Sequence, residues 1–245
     1  MPSEIQLDNI SYSYGSETLF TDVSFAIGHG RMVVLMGSSG CGKSTLLEIS
    51  AGLLEPVTGT VRWNGYDIHR IPQQELITER RKTGYVFQRH ALISNLTVFD
   101  NIALPLRYHT TMPDKALSAM IEQHLERMGI TDIRNKLPEA LSVGQARLAS
   151  IARALIMRPE FLFLDEPVSG LDPVTARSII SVLSKLCRQS NLTIFMVSHI
   201  ISFIEQLQCP ILLLDNKTVT RFETIAEARA VGGASLFDAS LNEGN

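Results

Sequence analysis

Cysteine is scarce in this chain: three occur in 245 residues, and Cys41, Cys187 and Cys209 share neither CxxC nor metal-ligand spacing. So sparse and odd a count excludes a disulfide framework and fits a reducing compartment. Long apolar runs are missing too. The longest, from Thr193 to Ile204, is interrupted by Ser198 and His199, and spanning a bilayer takes roughly 20 apolar residues. The opening Met1-Pro2-Ser3-Glu4 has no basic region leading into an apolar stretch, so no secretion is expected. Charged residues make up only 19% of the chain, with interspersed signs and a net charge of -3. That leaves no basic footprint, and nucleic acid is not an expected partner. What remains is a chain 45% apolar, sized for one large domain or a core with an inserted lobe.

Periodicity divides the chain. From Ile5 to Ile27 apolar and polar residues alternate, with turn signals at Gly15-Ser16 and Gly28-His29-Gly30, which is the pattern of strands. Met32 to Met36 is continuously apolar, as in a buried parallel strand, and a helix is expected from Lys43 to Ser50. Between Gln88 and Arg158 strand signals vanish. Thr97–Arg107 and Asp114–Met128 carry apolar residues at helical spacing, which predicts a helical lobe inserted into an α/β core. Strand and helix then alternate again: Phe161–Leu164 a strand, Pro173–Cys187 a helix, Thr193–Val197 and Pro210–Leu214 strands. Such alternation implies a largely parallel sheet flanked by helices. Residues 223–245 read as a weakly patterned tail.

Three segments carry chemistry. Gly37-Ser38-Ser39-Gly40-Cys41-Gly42-Lys43-Ser44, followed by Thr45, fits G-x-x-x-x-G-K-[ST] between a strand and a helix, the context that motif requires. Its glycines let backbone N–H groups wrap a phosphate, and the helix N-terminus adds unpaired donors. Lys43 is expected to reach the β- and γ-phosphates of ATP, and Ser44 to bind Mg²⁺. Asp165 and Glu166 end the Phe161 strand. Asp165 suits the Mg²⁺ shell, and Glu166 suits a general base acting on water. Leu141-Ser142-Val143-Gly144-Gln145 precedes a helix expected over Ala146–Met157. Ser142 and Gln145 have capping-box spacing; the sharper reading makes Ser142, Gly144 and that helix N-terminus a second anion site.

These segments, with Gln88, Ser169-Gly170-Leu171-Asp172 and Ser198-His199, follow in the order and spacing of ABC-type ATPases, which the chain resembles from about residue 4 to 222. The resemblance implies an α/β P-loop fold with a mostly parallel sheet core, an antiparallel β portion and an inserted helical lobe. It implies one nucleotide-binding domain over 1–245, with core at about 1–88 and 159–222, lobe at 89–158 and tail at 223–245. It further implies a head-to-tail homodimer sandwiching two ATP molecules. In that arrangement Tyr14 stacks on adenine, Gln88 couples Mg²⁺ to the membrane partner, and His199 contacts the γ-phosphate. Asp172 communicates across the dimer, while Ser142, Gly144 and Gln145 serve the opposite site. Taken singly, Tyr14 would read as packing, and Gln88 and His199 as ordinary polar residues.

The chain departs from the family pattern in three places. Val143 stands where glycine is usual, with a modest effect expected; Ile200 follows His199 where aspartate is common. Cys41 lies at a helix N-terminus, where a thiolate is favoured, so ATP-protected inactivation by thiol reagents is expected, against the alternative of an inert side chain facing away. Thr97-Val98-Phe99-Asp100-Asn101-Ile102-Ala103-Leu104-Pro105-Leu106-Arg107 resembles the ATPases of Mla/Mce-type phospholipid transport systems. That implies an ATP-hydrolysing motor at the cytoplasmic face of a bacterial inner membrane, held there by integral-membrane permease subunits. An Mce-domain lipid-binding protein is a further implied partner. An ATPase of an importer for amino acids or other small solutes shares every catalytic residue and stands as the alternative. A non-transport ABC ATPase acting on nucleic acid or ribosomes is a third reading, without the basic patches it would call for.

Overall fold

The alternating stretch folds back on itself: β1 (Ile5–Tyr14) and β2 (Glu17–Ile27) pair antiparallel. The run of apolar residues forms β3 (Met32–Gly37), and α1 (Lys43–Ser50) follows a glycine-rich loop. These and all later elements belong to a computed structural model that describes residues 4–89 and 91–232, so the ends of the expected core and tail at 1–3 and 233–245 lie outside the described residues. A second hairpin joins β4 (Thr58–Trp63) to β5 (Tyr66–Asp67) across Asn64 and Gly65, both at positive φ (52 and 84°). That is the conformation a two-residue hairpin turn requires, and Asn-Gly is the pair that adopts it most readily.

After α2 (Gln73–Arg80) and β6 (Thr83–Val86), the described residues hold no strand until residue 161. In this interval α3 (Val98–His109), α4 (Asp114–Met128) and α5 (Val143–Leu155) pack on one another. The chain then runs through β7 (Phe161–Asp165), α6 (Pro173–Ser190), β8 (Thr193–Val197), α7 (Ile201–Leu207), β9 (Ile211–Asp215), β10 (Thr218–Phe222) and α8 (Ile225–Gly232).

Three of the differences from the pattern have plain local causes. Helix α5 starts before its apolar stripe because Ser142 caps it. Pro210 lies outside β9, since it has no N–H to pair, although its carbonyl accepts from Val34 N–H at 3.1 Å. Part of the weakly patterned tail is helical: α8 packs on β9 and β10 and buries Ala228 completely. One small apolar anchor is too slight a signal to read from sequence.

The strands make a four-stranded antiparallel sheet, β2-β1-β4-β5, and a six-stranded sheet, β10-β9-β3-β8-β7-β6. In the larger sheet only the edge strand β10 runs antiparallel to its neighbour. Because side chains alternate along a strand, the central strands feed two cores at once. Leu162, Leu164, Ile194 and Met196 join the cluster that extends into α3–α5. Phe161, Phe163, Phe195 and Val197 join the cluster shared with the antiparallel sheet. Burial on both faces explains why these strands read as continuous apolar runs.

Candidate nucleotide site

The order β3-β8-β7 sets three parallel carboxyl ends side by side, and ligands of open α/β sheets bind at such edges. The glycine loop leaves β3 there, Asp165 ends β7 with Glu166 next, and Ser198-His199 follow β8. A cleft of about 580 Å³ opens at this edge. It gathers Gly37–Gly40, Gly42–Thr45, Tyr14, Gln88, Glu166 and His199.

Two glycines are needed for definite reasons. At Gly37 a Cβ would stand 2.5 Å from the Leu214 carbonyl oxygen, so no side chain fits. Gly42 caps α1 at φ 100°, with Leu19 and Phe20 3.2–3.3 Å from where its Cβ would be. It offers the first turn of α1 no side-chain acceptor, so those donors remain available to an anion. Lys43 Nζ donates to the carbonyls of Gly37 and Ser38 at 2.9 and 2.6 Å, laying its charge along the loop.

On the facing side, Asp165 and Glu166 are both buried. Asp165 Oδ1 accepts from Ser44 Oγ at 3.2 Å. Glu166 has a left-handed backbone, φ 49°, which costs a residue with a side chain of order 1–3 kcal/mol. Its N–H donates to the Val197 carbonyl at 3.1 Å, which ties it to the end of β8. Its Oε1 lies 2.6 Å from His199 Nδ1, while its Oε2 is buried without a hydrogen-bond partner. An unpartnered buried carboxyl oxygen is expensive to keep.

Sequence reading passed over two contributors. Arg147, two residues beyond Gln145, is 2% exposed and donates through Nη1 to the Phe87 carbonyl at 3.0 Å. Burial pulls its pKa down, against the attraction of Asp165 and Glu166. Tyr85 is held strongly protonated, first by burial and then by the charges of Asp165 and Glu48.

Burial raises the pKa of Asp165, offset in part by the Ser44 hydrogen bond and raised further by the Glu166 charge. A carboxyl whose folded pKa lies above its unfolded one favours folding while protonated, and that advantage is lost as pH rises through the folded pKa. The desolvation that raises this pKa therefore works against the fold once Asp165 loses its proton. Asp165→Asn, which keeps the shape, is expected to raise the melting temperature of the nucleotide-free chain by about 2 °C or more and to abolish turnover. Scanning calorimetry and an ATPase assay check it; a lowered melting temperature would contradict the assignment.

Ser44 and Asp165 supply hard oxygen donors, and among the described residues no cluster of three His, Cys, Asp or Glu gathers as a metal cage. Few protein oxygens beside substrate phosphates is how Mg²⁺ is usually held, so these residues fit that ion.

Ser142, Gly144, Gln145, Asp172 and Cys41 are not among the residues lining the cleft. Ser142 caps α5: its Oγ accepts from the Gln145 N–H at 3.2 Å while Gln145 Oε1 accepts from the Ser142 N–H at 3.1 Å. A Cβ on Gly144 would stand 2.6 Å from Thr175 Cγ2, so this glycine lets α5 approach the start of α6. Asp172 caps α6, its Oδ1 accepting from the N–H groups of Val174 and Thr175 at 3.0 Å each. Val143 is half exposed on the first turn of α5. Cys41 is partly buried against the core shared with the antiparallel sheet and is not among the residues lining the cleft. Tyr14 stands at the cleft, more than half exposed, edge-on to Tyr12 with ring centres 5.0 Å apart.

A glycine-rich loop opening α1, a carboxyl pair at the end of a nearby parallel strand and a histidine beside it define a P-loop nucleoside-triphosphatase. More narrowly, the chain belongs to the ABC transporter family, whose sequence profile matches residues 20–169. It is an ATPase subunit of that family.

Among its relatives is the intermembrane phospholipid transport system ATP-binding protein MlaF of Haemophilus influenzae, 34% identical over 195 residues, covering 80% of this chain and 74% of that protein. The methionine import ATP-binding protein MetN of Haemophilus ducreyi is 34% identical over 227 residues, covering 91% of this chain and 66% of that one. The bacterial ABC transporter cassette MJ0796, solved as a dimer, superposes with a TM-score of 0.82 at 31% identity, covering 89% of this chain and 97% of that chain. A post-hydrolysis dimer of the same cassette, bound to ADP and Pi, gives 0.81 at 30% identity over the same shares.

Proposed function

We propose that this chain is the motor of a transporter that moves phospholipid between bacterial membranes, working as an ATP-sandwich homodimer beneath separate permease subunits. The observation that carries the motor is the geometry of the cleft edge: loop, paired carboxylates and histidine converge where a triphosphate fits. Tyr14 offers its ring to adenine. The amides of Gly37–Thr45 and the Lys43 ammonium take the phosphates, with Ser44, Asp165 and Gln88 holding Mg²⁺. That ion, when bound, neutralises charge developing on the phosphates. Glu166 accepts the proton of the attacking water, and His199, paired with it, contacts the γ-phosphate.

Ser142, Gly144, Gln145 and Asp172 are assigned to the partner's site. The first turn of α5 is a helix N-terminus on the surface, suited to the γ-phosphate of an ATP held by a second copy. ATP between two such turns favours the closed dimer, and loss of phosphate removes that preference. Among the described residues no helix is long and apolar enough to cross a membrane, so the path for cargo is assigned to the permease. The working position is the cytoplasmic face of the inner membrane, with an Mce-domain lipid-binding protein as a further partner.

The MlaF relatives support the lipid reading, together with the Thr97–Arg107 segment, which forms most of α3, a helix that exposes Leu104 and Tyr108. The importer reading draws on the MetN similarity, which extends over more of this chain.

Mild-detergent pull-down of the tagged chain, with mass spectrometry of proteins and lipids, separates them. Recovery of a multi-pass permease with an Mce-domain protein and bound phospholipid is expected. A permease with a soluble solute-binding protein and no lipid above background would establish the importer instead. Ribosomes or nucleic acid in the eluate would overturn transport altogether.

A further inference from the structure

Gln88 lies on a stretch whose carbonyls are gripped from one side by a single helix. Arg147 Nη1 of α5 donates to the Phe87 carbonyl at 3.0 Å, and Arg153 Nη1 of the same helix donates to the Ala91 carbonyl at 2.9 Å. The two bonds flank Gln88. Ala91 has φ 47°, a backbone conformation that a residue with a side chain keeps only where its surroundings impose it. Farther along, the fully buried Asn101 of α3 accepts from the Ile93 N–H at 2.8 Å and shares its two amide N–H donors among the carbonyls of Ile93, Leu96 and Thr97 at 3.0–3.1 Å. The stretch is thus fastened to α3 and α5 at points beyond the end of β6.

We infer that Arg147 and Arg153 are positioning residues that clamp the Gln88 stretch to α5, so that any displacement of α5 carries Gln88 with it. The helix that begins with Ser142 and Gly144 then determines where Gln88 stands relative to Asp165 and Glu166.

Burial argues for a specific task. A guanidinium 2% exposed is seldom kept in a core unless it is paired. Arg147 spends a hydrogen bond on a loop carbonyl, leaves its Nε without a partner, and faces the charges of Asp165 and Glu166. An arginine fork reaches a carbonyl in a fixed plane, which a lysine ammonium on a flexible stem reproduces only in part. Arg153 lies six residues along α5, and burial depresses its pKa as well. Both side chains give up hydration to reach the two ends of one short segment.

The inference rests on the proposed role of Gln88 in the cleft, and the test separates the two. ATP turnover and nucleotide affinity of the full chain are measured for Arg147→Met, Arg147→Lys, Gln88→Ala and the double variant Arg147→Met/Gln88→Ala. Arg147→Met is expected to lower kcat about tenfold with KM within about twofold, and Arg147→Lys to recover part of the loss. The double variant is expected to be no slower than the slower single one, because both act through one element. Losses that multiply, or no rescue by lysine, would overturn the clamp.

Hydrogen exchange of residues 87–97 decides it independently of catalysis. Exchange there is expected to rise about tenfold in Arg147→Met and in Arg153→Met while β3 and β7 are unchanged. Unchanged exchange in both sinks the clamp. Should Arg147→Met fail to fold, Arg147→Lys and Arg153→Met serve for the exchange measurement. Turnover indifferent to Glu166→Gln and Gln88→Ala would overturn the reading of the site while leaving exchange to decide the clamp.

Discussion

Glu166→Gln is expected to bind ATP with affinity within about threefold of the parent and to lose turnover by about 10²–10⁴-fold, the usual worth of a positioned general base. Glutamine keeps the length and planarity of the side chain, so the contact with His199 Nδ1, now 2.6 Å from Oε1, has an oxygen to return to. What disappears is the capacity of Oε2 to take a proton. That atom is buried and unpartnered, on a residue held at φ 49°, so both strain and desolvation are spent on presenting it. The change spares Lys43 and the loop amides, which leaves binding intact. Steady-state phosphate release with an equilibrium nucleotide titration checks both halves. Turnover within about threefold of the parent would remove Glu166 from the chemistry.

Phe163→Ala carries the largest expected effect on stability, a loss of about 3–5 kcal/mol. The side chain is fully buried on β7, its ring centre 6.4 Å from those of Tyr85 and Trp63. Removing it opens a cavity between the two sheets, and the close-packed surroundings relax only in part. Because Asp165 and Glu166 follow two and three residues later on the same chain, the defect also loosens the cleft edge, and weaker ATP binding should accompany the lost stability. Trp63 is the single tryptophan, so urea unfolding followed by its fluorescence reads the change directly. A loss below about 1 kcal/mol would mean that this junction is not the core described.

The parts of this molecule legible in its sequence are those where one local pattern has one physical solution. Met32 to Met36, bounded by glycines, could only be a short strand delivering a loop, and β3 runs from Met32 to Gly37. Ser142 and Gln145 announced a capping box, and both of its hydrogen bonds are present. The Asn64-Gly65 turn between Trp63 and Tyr66 is an equally local signal, and it is the one that would have found β4 and β5. Other features depend on which strands become neighbours. No local pattern says that β8 lies between β3 and β7, yet that order is what brings His199 to Glu166.

Arg147 shows the same limit for a single residue. On a helix pattern it reads as one more polar position, and only the approach of Phe87, sixty residues away, gives its burial a purpose. Cys41 shows it too: its place at a helix N-terminus is legible in the sequence, while its packing against the core is not.

The central claim is that ATP joins two copies of this chain through the surface turn of α5. Light scattering behind size-exclusion chromatography tests it most directly, using Glu166→Gln with Mg²⁺ and either ATP or ADP. A doubled mass with ATP, the single-chain mass with ADP, and loss of the doubled species when Ser142→Arg is added are predicted. A single-chain mass in ATP under saturating nucleotide, or a dimer indifferent to Ser142→Arg, would contradict the account.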